Sequence, residues 1–179
     1  IERFWKLLKN LRAQGLKHID GDLVIDDHLF DQSAIDTHTL DGKPYRAYNT
    51  SPSAALINYS YTKIIVRSAH NGLTVLTEPP ISTLQIKNKV RVLAGACNGR
   101  NGGITLAVTA HSNRTEVTVG GQYPPTCGEV ILKRSVLQHN QYLYGLFRYL
   151  WEEMGGSLTG PFRKGTAAPG DTDFLSFPS

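Results

Sequence analysis

One tetrad in the sequence has the spacing of a serine nucleophile and its activating lysine. Ser60 and Lys63 bracket the tetrad Ser60-Tyr61-Thr62-Lys63. On a helix, residues three apart share a face, so the lysine amine could activate the serine hydroxyl. The neighbouring residues instead alternate with a period of two, which predicts a strand whose positions i and i+3 point to opposite faces. We therefore interpret Ser60 and Lys63 as a chance match and predict no catalytic residue in this chain.

The triplets that accompany such a serine, Ser-x-Asn and Lys-Thr-Gly, do not occur in the sequence. Residues 164–166 carry the letters of the second triplet in another order, Lys-Gly-Thr. A Ser/His/Asp triad could be assembled from scattered residues, but no Gly-x-Ser-x-Gly segment supports one. The isolated histidines His18, His111 and His139 lie in polar context, and we expect them at the surface.

An acidic stretch near the start of the chain could in principle bind a divalent cation. It lacks the spacing of a calcium loop, and its first carboxylates alternate as on a solvated strand face, so we predict no metal and no other cofactor. The residues concerned are Asp20, Asp22, Asp26, Asp27, Asp31, Asp36 and Asp41, with His28 and His38.

The composition is that of an ordinary globular protein, with 40% hydrophobic and 19% charged residues among 179. The net charge of +4 is small and the basic residues are scattered, which argues against nucleic-acid binding. No apolar run approaches the length of roughly 18 residues that a membrane helix needs. The two cysteines, Cys97 and Cys127, could be free thiols or a disulfide, and the residues alone leave this open.

Periodicity predicts helices at both ends of the chain and strands between them. Residues 2–14 form an amphipathic pattern ended by Gly15, and residues 18–27 read as a short strand. Residues 56–66 and 73–77 predict a hairpin around residues 70–72.

Further strand patterns occupy residues 84–93, a second hairpin over residues 104–119, and residues 130–132. Ser135 and Gln138 predict a capping box for a second amphipathic helix that ends at residues 155–156. An extended piece follows at residues 158–162. The pattern indicates an α+β fold in which an outer α/β domain, with two amphipathic helices on a small sheet, is interrupted by a nested, mostly β domain.

Several passages together resemble the class C low-molecular-mass penicillin-binding proteins, the D-alanyl-D-alanine carboxypeptidase/endopeptidases. The resemblance runs over nearly the whole chain, and IDGDLVID within residues 18–27 is its most specific part. The passages are residues 18–27 (HIDGDLVIDD), 48–49 (YN), 53–59 (SAALINY), 121–129 (GQYPPTCGE) and 145–147 (GLF), with Trp151 through residues 155–156.

The resemblance implies that this chain is the long insertion that splits the penicillin-binding domain of such proteins. It implies an outer accessory domain at residues 1–50 and 128–165, a nested β domain at residues 51–127, and a linker at residues 166–179 that returns to the missing penicillin-binding domain. No catalytic residue of the family is carried over, because its motifs lie outside this insertion. A cysteine pair in some relatives implies a Cys97–Cys127 disulfide in an oxidising periplasm.

These implications define the expected function. The parent protein is expected to be an exported, periplasmic serine peptidase of peptidoglycan whose signal peptide is not in this chain. The chain itself is expected to be an inactive accessory region that contacts peptidoglycan or the penicillin-binding domain. Two alternatives stay open: a stand-alone cell-envelope binding module that has lost the peptidase, and an unrelated hydrolase that uses His28 or His38.

Overall fold

A computed structural model describes residues 1–30, 42, 43, 45–69, 72–97, 99 and 103–177, which contain two α-helices, three short 3-10 helices and eleven strands. The helices are α1 (Glu2–Ala13) and α2 (His139–Glu153). The strands are β1 (His18–Ile19), β2 (Leu23–Ile25), β3 (Thr62–Ala69), β4 (Gly72–Glu78), β5 (Leu84–Asn88), β6 (Arg91–Val92), β7 (Ile104–Ala110), β8 (Thr115–Tyr123), β9 (Val130–Arg134), β10 (Ser157–Leu158) and β11 (Phe162–Lys164).

A three-stranded antiparallel sheet has the order β4-β3-β9. The first predicted hairpin is confirmed, because β3 pairs with β4 from Lys63 opposite Glu78 to Ala69 opposite Gly72. His70 and Asn71 of its predicted turn lie outside the described residues. Alternation places Ile64 and Val66 in the core, whereas Lys63 faces outward. Residues 56–61, predicted as part of this strand, precede β3 in loops and turns.

A second sheet is built around β8, which at nine residues is the longest of the described strands. It pairs antiparallel with β7, which confirms the second predicted hairpin, and parallel with β5 and β6. The strand predicted over residues 84–93 is divided into β5 and β6, and Val90 N–H between them bonds to Asn88 Oδ1 at 3.0 Å.

Two short parallel pairs bring the two ends of the chain together. Strand β1 pairs with β10, and β2 pairs with β11. The single strand predicted over residues 18–27 is therefore wrong in detail: Gly21, with φ 145°, separates β1 from β2. Gly160 lies against the Gly21 backbone, where a Cβ would overlap the Gly21 carbonyl, so the chains cross too closely for any side chain.

Helix α2 lies against two hydrophobic cores that the described residues form. Its residues Tyr142 and Leu146 join a core formed with the two larger sheets. On another face of α2, Phe147 and Trp151 pack in a second core with Leu8 of α1 and with strands β2 and β10. This explains the broad apolar face that the sequence shows, because one helix covers two cores.

The predicted capping box of α2 is wrong. The helix begins at His139 after Gln138, and in the described part of the chain no side chain caps it. Ser135 lies too far upstream, and its hydroxyl donates instead to Tyr59 O at 2.9 Å.

The predicted α+β class is confirmed by these helices and sheets. Strand β9, which the predicted boundaries assign to the outer domain, pairs with β3 in the sheet of the predicted nested domain. The division into two domains stays a prediction. No helix among the described residues is long and apolar enough to cross a membrane.

Candidate functional site

A polar cleft of about 480 Å³ lies at the N-terminus of α2, between that helix, the turn before β3 and the end of β11. Its lining combines hydroxyl, imidazole, amide, carboxylate and ammonium groups. These include Ser51, Ser60, His139, Asn140, Asp27 and Lys164.

The turn that carries Ser60 is the most unusual backbone of the cleft. Asn58, Tyr59 and Ser60 have φ values of 52°, 50° and 46°, all in the left-handed region. Residues other than glycine rarely adopt this region, and a run of such residues persists only when the surrounding structure holds it in place.

Side chains from distant segments hold this turn. Thr50 Oγ1 and Ser135 Oγ both donate to Tyr59 O, at 3.0 and 2.9 Å. Asn58 Nδ2 donates to Tyr61 O at 3.1 Å and to Tyr142 Oη at 3.2 Å. Burial raises the pKa of Tyr142 to about 12, so its hydroxyl stays protonated and donates to Tyr61 O at 3.0 Å. The position of Ser60 is therefore set by contacts across the fold.

His139 lies between two serine hydroxyls. Its Nδ1 is 2.8 Å from Ser60 Oγ, and its Nε2 is 3.1 Å from Ser51 Oγ. Burial is the main cause that lowers the pKa of His139, and the nearby positive charge of Lys164 acts in the same direction. The nearby Asp27 carboxylate and a hydrogen bond involving Ser51 oppose this shift. In the neutral ring, one nitrogen donates to a serine and the other accepts from a serine. The expectation that His139 is an isolated surface residue is wrong.

This arrangement differs from a catalytic triad in two respects. Ser60 is only 1% exposed, so a peptide carbonyl cannot reach its hydroxyl. The carboxylate oxygen Asp27 Oδ1 accepts from Ser53 Oγ at 2.6 Å and from the Ala54 N–H at 3.0 Å, and the second ring nitrogen of His139 contacts a hydroxyl. A triad needs an accessible nucleophile and a carboxylate that orients the imidazole.

Ser60 and Lys63 are not brought together. Lys63 Nζ donates to Glu78 Oε1 at 2.8 Å, and this hydrogen bond is the main cause that raises the pKa of Lys63. The prediction that Ser60 lies on the strand is wrong, because Ser60 ends the turn before β3 and the strand begins at Thr62.

The N-terminus of α2 leaves polar groups available at the cleft. Gln138 gives no capping hydrogen bond from its side chain among the described residues. The first N–H groups of a helix lack internal acceptors and carry partial positive charge. Lys164 lines the same cleft and forms no salt bridge with any described residue.

Asn140 also lines this cleft, but its side-chain oxygen is buried. The residue is 4% exposed, and within the described residues its buried Oδ1 has no hydrogen-bond partner. Buried polar atoms are nearly always paired, so this oxygen is an exception among the described residues.

The acidic stretch makes contacts at the surface, two of them with residues near the other end of the chain. Asp20 accepts from Thr159 Oγ1 at 3.0 Å, Arg163 Nε lies 3.4 Å from Asp22 Oδ2, and Asp26 bonds to His28. The remaining residues of the stretch, Asp31, Asp36, His38 and Asp41, lie outside the described residues. In the part of the chain that the structure describes, no three His, Cys, Asp or Glu side chains are grouped to hold a metal ion.

Sequence reasoning placed His139 at the surface and did not consider Ser51 or Asn140, although all three line the cleft. The available signal was weak: polar residues at the start of an otherwise apolar helix. Their partners lie far away in sequence, since Ser60 and His139 are 79 positions apart. The spacing of residues within one segment does not predict a contact between segments that are so far apart in sequence.

Cys97 and Cys127 form a disulfide with a Cα–Cα distance of 4.8 Å. It joins the segment after β6 to the segment after β8. The pairing that the family resemblance implied is present in the structure.

A comparison with models of protein families shows to which family the chain belongs. A model of the D-Ala-D-Ala carboxypeptidase 3 (S13) family matches residues 1–179. The chain belongs to this family. The resemblance to penicillin-binding D-Ala-D-Ala peptidases is thereby confirmed. Comparison with curated protein sequences finds no match for this S13 chain.

Solved structures show the same fold. Penicillin binding protein 4 (dacB) from Haemophilus influenzae is 20% identical with a TM-score of 0.64, over 90% of this chain and 35% of that one. A second structure of that protein, in complex with a novel β-lactam, is 20% identical with a TM-score of 0.56, over 94% of this chain and 34% of that one. This S13 chain therefore spans about a third of the length of the solved structures it matches.

Proposed function

We propose that this chain is an accessory, non-catalytic region of a periplasmic serine-type D-Ala-D-Ala carboxypeptidase/endopeptidase that acts on peptidoglycan peptides. The observation that carries the proposal is the family match over residues 1–179 in a chain whose Ser-x-x-Lys residues are kept apart. In the proposed protein, a serine outside this region forms the acyl-enzyme and a lysine activates it.

Three features of the structure support the proposal. Ser60 is buried against His139, and the Lys63 amine is bound to Glu78. The Cys97–Cys127 disulfide suits an exported protein, because disulfides persist in oxidising compartments such as the periplasm. The fold resembles about a third of a penicillin-binding protein and leaves the rest of that protein to provide catalysis.

The test is the intact mass of this chain before and after incubation with benzylpenicillin. We expect a starting mass two hydrogens below that of the reduced sequence, because of the disulfide, and no adduct after incubation. A stoichiometric adduct on Ser60 would overturn the accessory assignment.

The matched control is the Ser60→Ala variant, treated in parallel. If an adduct forms on both proteins at equal levels, it arises from non-specific acylation and the proposal stands. If the adduct is lost only in Ser60→Ala, then this chain contains its own nucleophile and the proposal fails.

A further inference from the structure

We propose that two copies of this chain associate through strand β7, which pairs antiparallel with β7 of the second copy about a two-fold axis at Ala107. The paired strands join the sheet around β8 of one copy to the same sheet of the other. The proposal does not depend on the proposed function, because it rests on the backbone and side chains of one edge strand.

Strand β7 is an edge strand with a single neighbour. It pairs with β8 along all seven of its residues, and no other described strand lies beside it. In an antiparallel strand, the backbone N–H and C=O groups of alternate residues point to opposite sides. The outward groups of β7 have no backbone partner among the described residues. A row of such groups is a template for another strand.

The edge of β7 also lacks the charges that keep other sheet edges apart. Among the described strands of five residues or more, β7 (ITLAVTA) alone has no charged residue. The edge strands β5 and β9, by contrast, carry Lys87 and Lys133. Proteins use such lysines, or a proline, to prevent pairing between sheet edges. Strand β7 has neither, so its side chains do not oppose a second strand.

The order of residues in β7 indicates that this second strand is another copy of β7. The residue types nearly repeat when the strand is read in both directions from Ala107. In a register centred on Ala107, Thr105 lies opposite Thr109 of the second copy, and Leu106 lies opposite Val108 of the second copy. Threonine pairs and aliphatic pairs directly across two strands stabilise a sheet. The edge is therefore complementary to itself in the antiparallel direction.

The exposure of these side chains fits the same register. Residues directly opposite one another in antiparallel strands lie on the same face of the sheet. Thr105, Ala107 and Thr109 are exposed, whereas Leu106 and Val108 are half-buried against the core formed with the two larger sheets. The register places exposed side chains opposite exposed ones, and it continues the apolar face across the axis.

The contact closes at two copies and is weak. Each copy offers one β7 edge, and a two-fold contact uses the same surface on both copies. A seven-residue edge is short, so the buried area lies at the low end for specific interfaces. We expect a dissociation constant on the order of 0.1 mM.

The first experiment is sedimentation equilibrium of the 179-residue chain at about 0.01 to 1 mM. We expect a monomer–dimer equilibrium. Ala107→Lys should weaken it at least about tenfold, because it places two ammonium groups opposite each other at the axis. Ala69→Lys is the matched control, at an exposed position of β3, and should leave the equilibrium unchanged. Thermal unfolding shows whether both variants are folded.

The second experiment tests the register by oxidative cross-linking, and it does not depend on the lysine variants. A mixture of Thr105→Cys and Thr109→Cys chains should cross-link, whereas either variant alone should not. In the proposed register, like positions are about 13 Å apart along the strands, which is beyond the reach of a disulfide. The natural cysteines Cys97 and Cys127 are already paired with each other.

The proposal fails if the chain stays monomeric over this concentration range, in which case the edge is left to a strand of another protein. It also fails if Ala69→Lys weakens association as much as Ala107→Lys does. Equal cross-linking of Thr105→Cys with itself and with Thr109→Cys, or none in the mixture, would overturn the register. Larger, open-ended aggregates would contradict the closed two-fold contact.

Discussion

The described residues form two hydrophobic cores that are stabilised in different ways, and we call the elements around them the β unit and the outer unit. The β unit consists of β3–β9. Its hairpins are long; β3 and β4, for example, pair from Lys63 opposite Glu78 to Ala69 opposite Gly72. Aliphatic side chains on alternate positions of these strands form its core. The outer unit consists of α1, α2, β1, β2, β10 and β11, and its strands are two or three residues long. Its core is formed largely by aromatic side chains of α2 against α1.

This difference indicates where each unit is vulnerable. A pair of two-residue strands supplies few hydrogen bonds, so the outer unit depends on packing against α2. The β unit combines long ladders with a disulfide. Helix α2 contributes different residues to the two cores, so a substitution on one face of the helix should change the stability of one unit.

Removing the main aromatic of the outer unit should give the largest effect. Trp151 is fully buried, stacks on Phe147 with ring centroids 5.6 Å apart, and donates from Nε1 to Ser157 O at 3.1 Å. We expect Trp151→Ala to lower the free energy of unfolding by about 3–5 kcal/mol, measured by urea denaturation followed by circular dichroism.

Trp5→Ala is the matched control, because Trp5 is 36% exposed and Lys9 Nζ lies over its ring, 4.1 Å from the ring centroid. It should cost about 1 kcal/mol or less. Hydrogen exchange should show that Trp151→Ala loses protection in β10 and β11 before β7 and β8. Equal costs for the two tryptophans would contradict the role given to the α2 aromatics.

Removing the disulfide should act on the β unit. Cys97 and Cys127 are 30 positions apart, and closure of such a loop stabilises the folded state by about 3–4 kcal/mol in the chain-entropy model. We expect the double variant Cys97→Ser/Cys127→Ser to lose this amount in chemical denaturation. Reductant should produce the same loss in the natural chain and no change in the double variant; a further loss there would show that the reductant acts elsewhere.

A methyl group added to α2 should test how tightly the helix lies on the β unit. At Gly145 a Cβ would overlap the side chains of Thr83 and Ile81, and Thr83 is already tied to α2 by a 2.9 Å bond to Gln141 O. We expect Gly145→Ala to destabilise the fold by about 1–3 kcal/mol in thermal or urea unfolding.

Whether Gly145→Ala lowers or raises the stability of the fold shows whether the contact between α2 and the β unit is tight or loose. In an uncrowded helix, Gly→Ala stabilises by about 0.5–1 kcal/mol, so a gain in stability would show that the contact is loose. Arg148→Ala, at an exposed α2 position paired with Glu152, should change stability by about 0.5 kcal/mol or less.

The smallest effect should be a pH dependence at the junction of the two units. Burial lowers the pKa of His139 in the folded chain, so the unfolded chain binds more protons between the two pKa values. The stabilising contribution is complete above the ordinary pKa of about 6.5 and is lost as pH falls below it.

Urea unfolding between about pH 5 and pH 8 measures this contribution. We expect His139→Gln to flatten the acid-side loss of stability. The exposed histidine variant His18→Gln should keep the profile of the natural chain. If His139→Gln and the natural chain have parallel profiles, the protonation of His139 is not linked to folding.

Local features were predictable because they depend on neighbouring residues. Period-two alternation and turn residues indicated the hairpins of the β unit, and period-3.6 patterns indicated α1 and α2. The family also followed from short passages such as residues 18–27. These signals depend on backbone geometry and side-chain period, which act within a few residues.

What only the tertiary structure decided are contacts between distant segments. The pairing of β1 with β10, the addition of β9 to β3, and the position of His139 between Ser51 and Ser60 leave no local pattern. Burial and hydrogen bonding across the fold set them, because a side chain acquires its surroundings only when remote segments pack. The Ser-x-x-Lys spacing shows the same limit. Ser60 and Lys63 are close in sequence, but in the folded chain the lysine is hydrogen-bonded to Glu78 and the serine to His139.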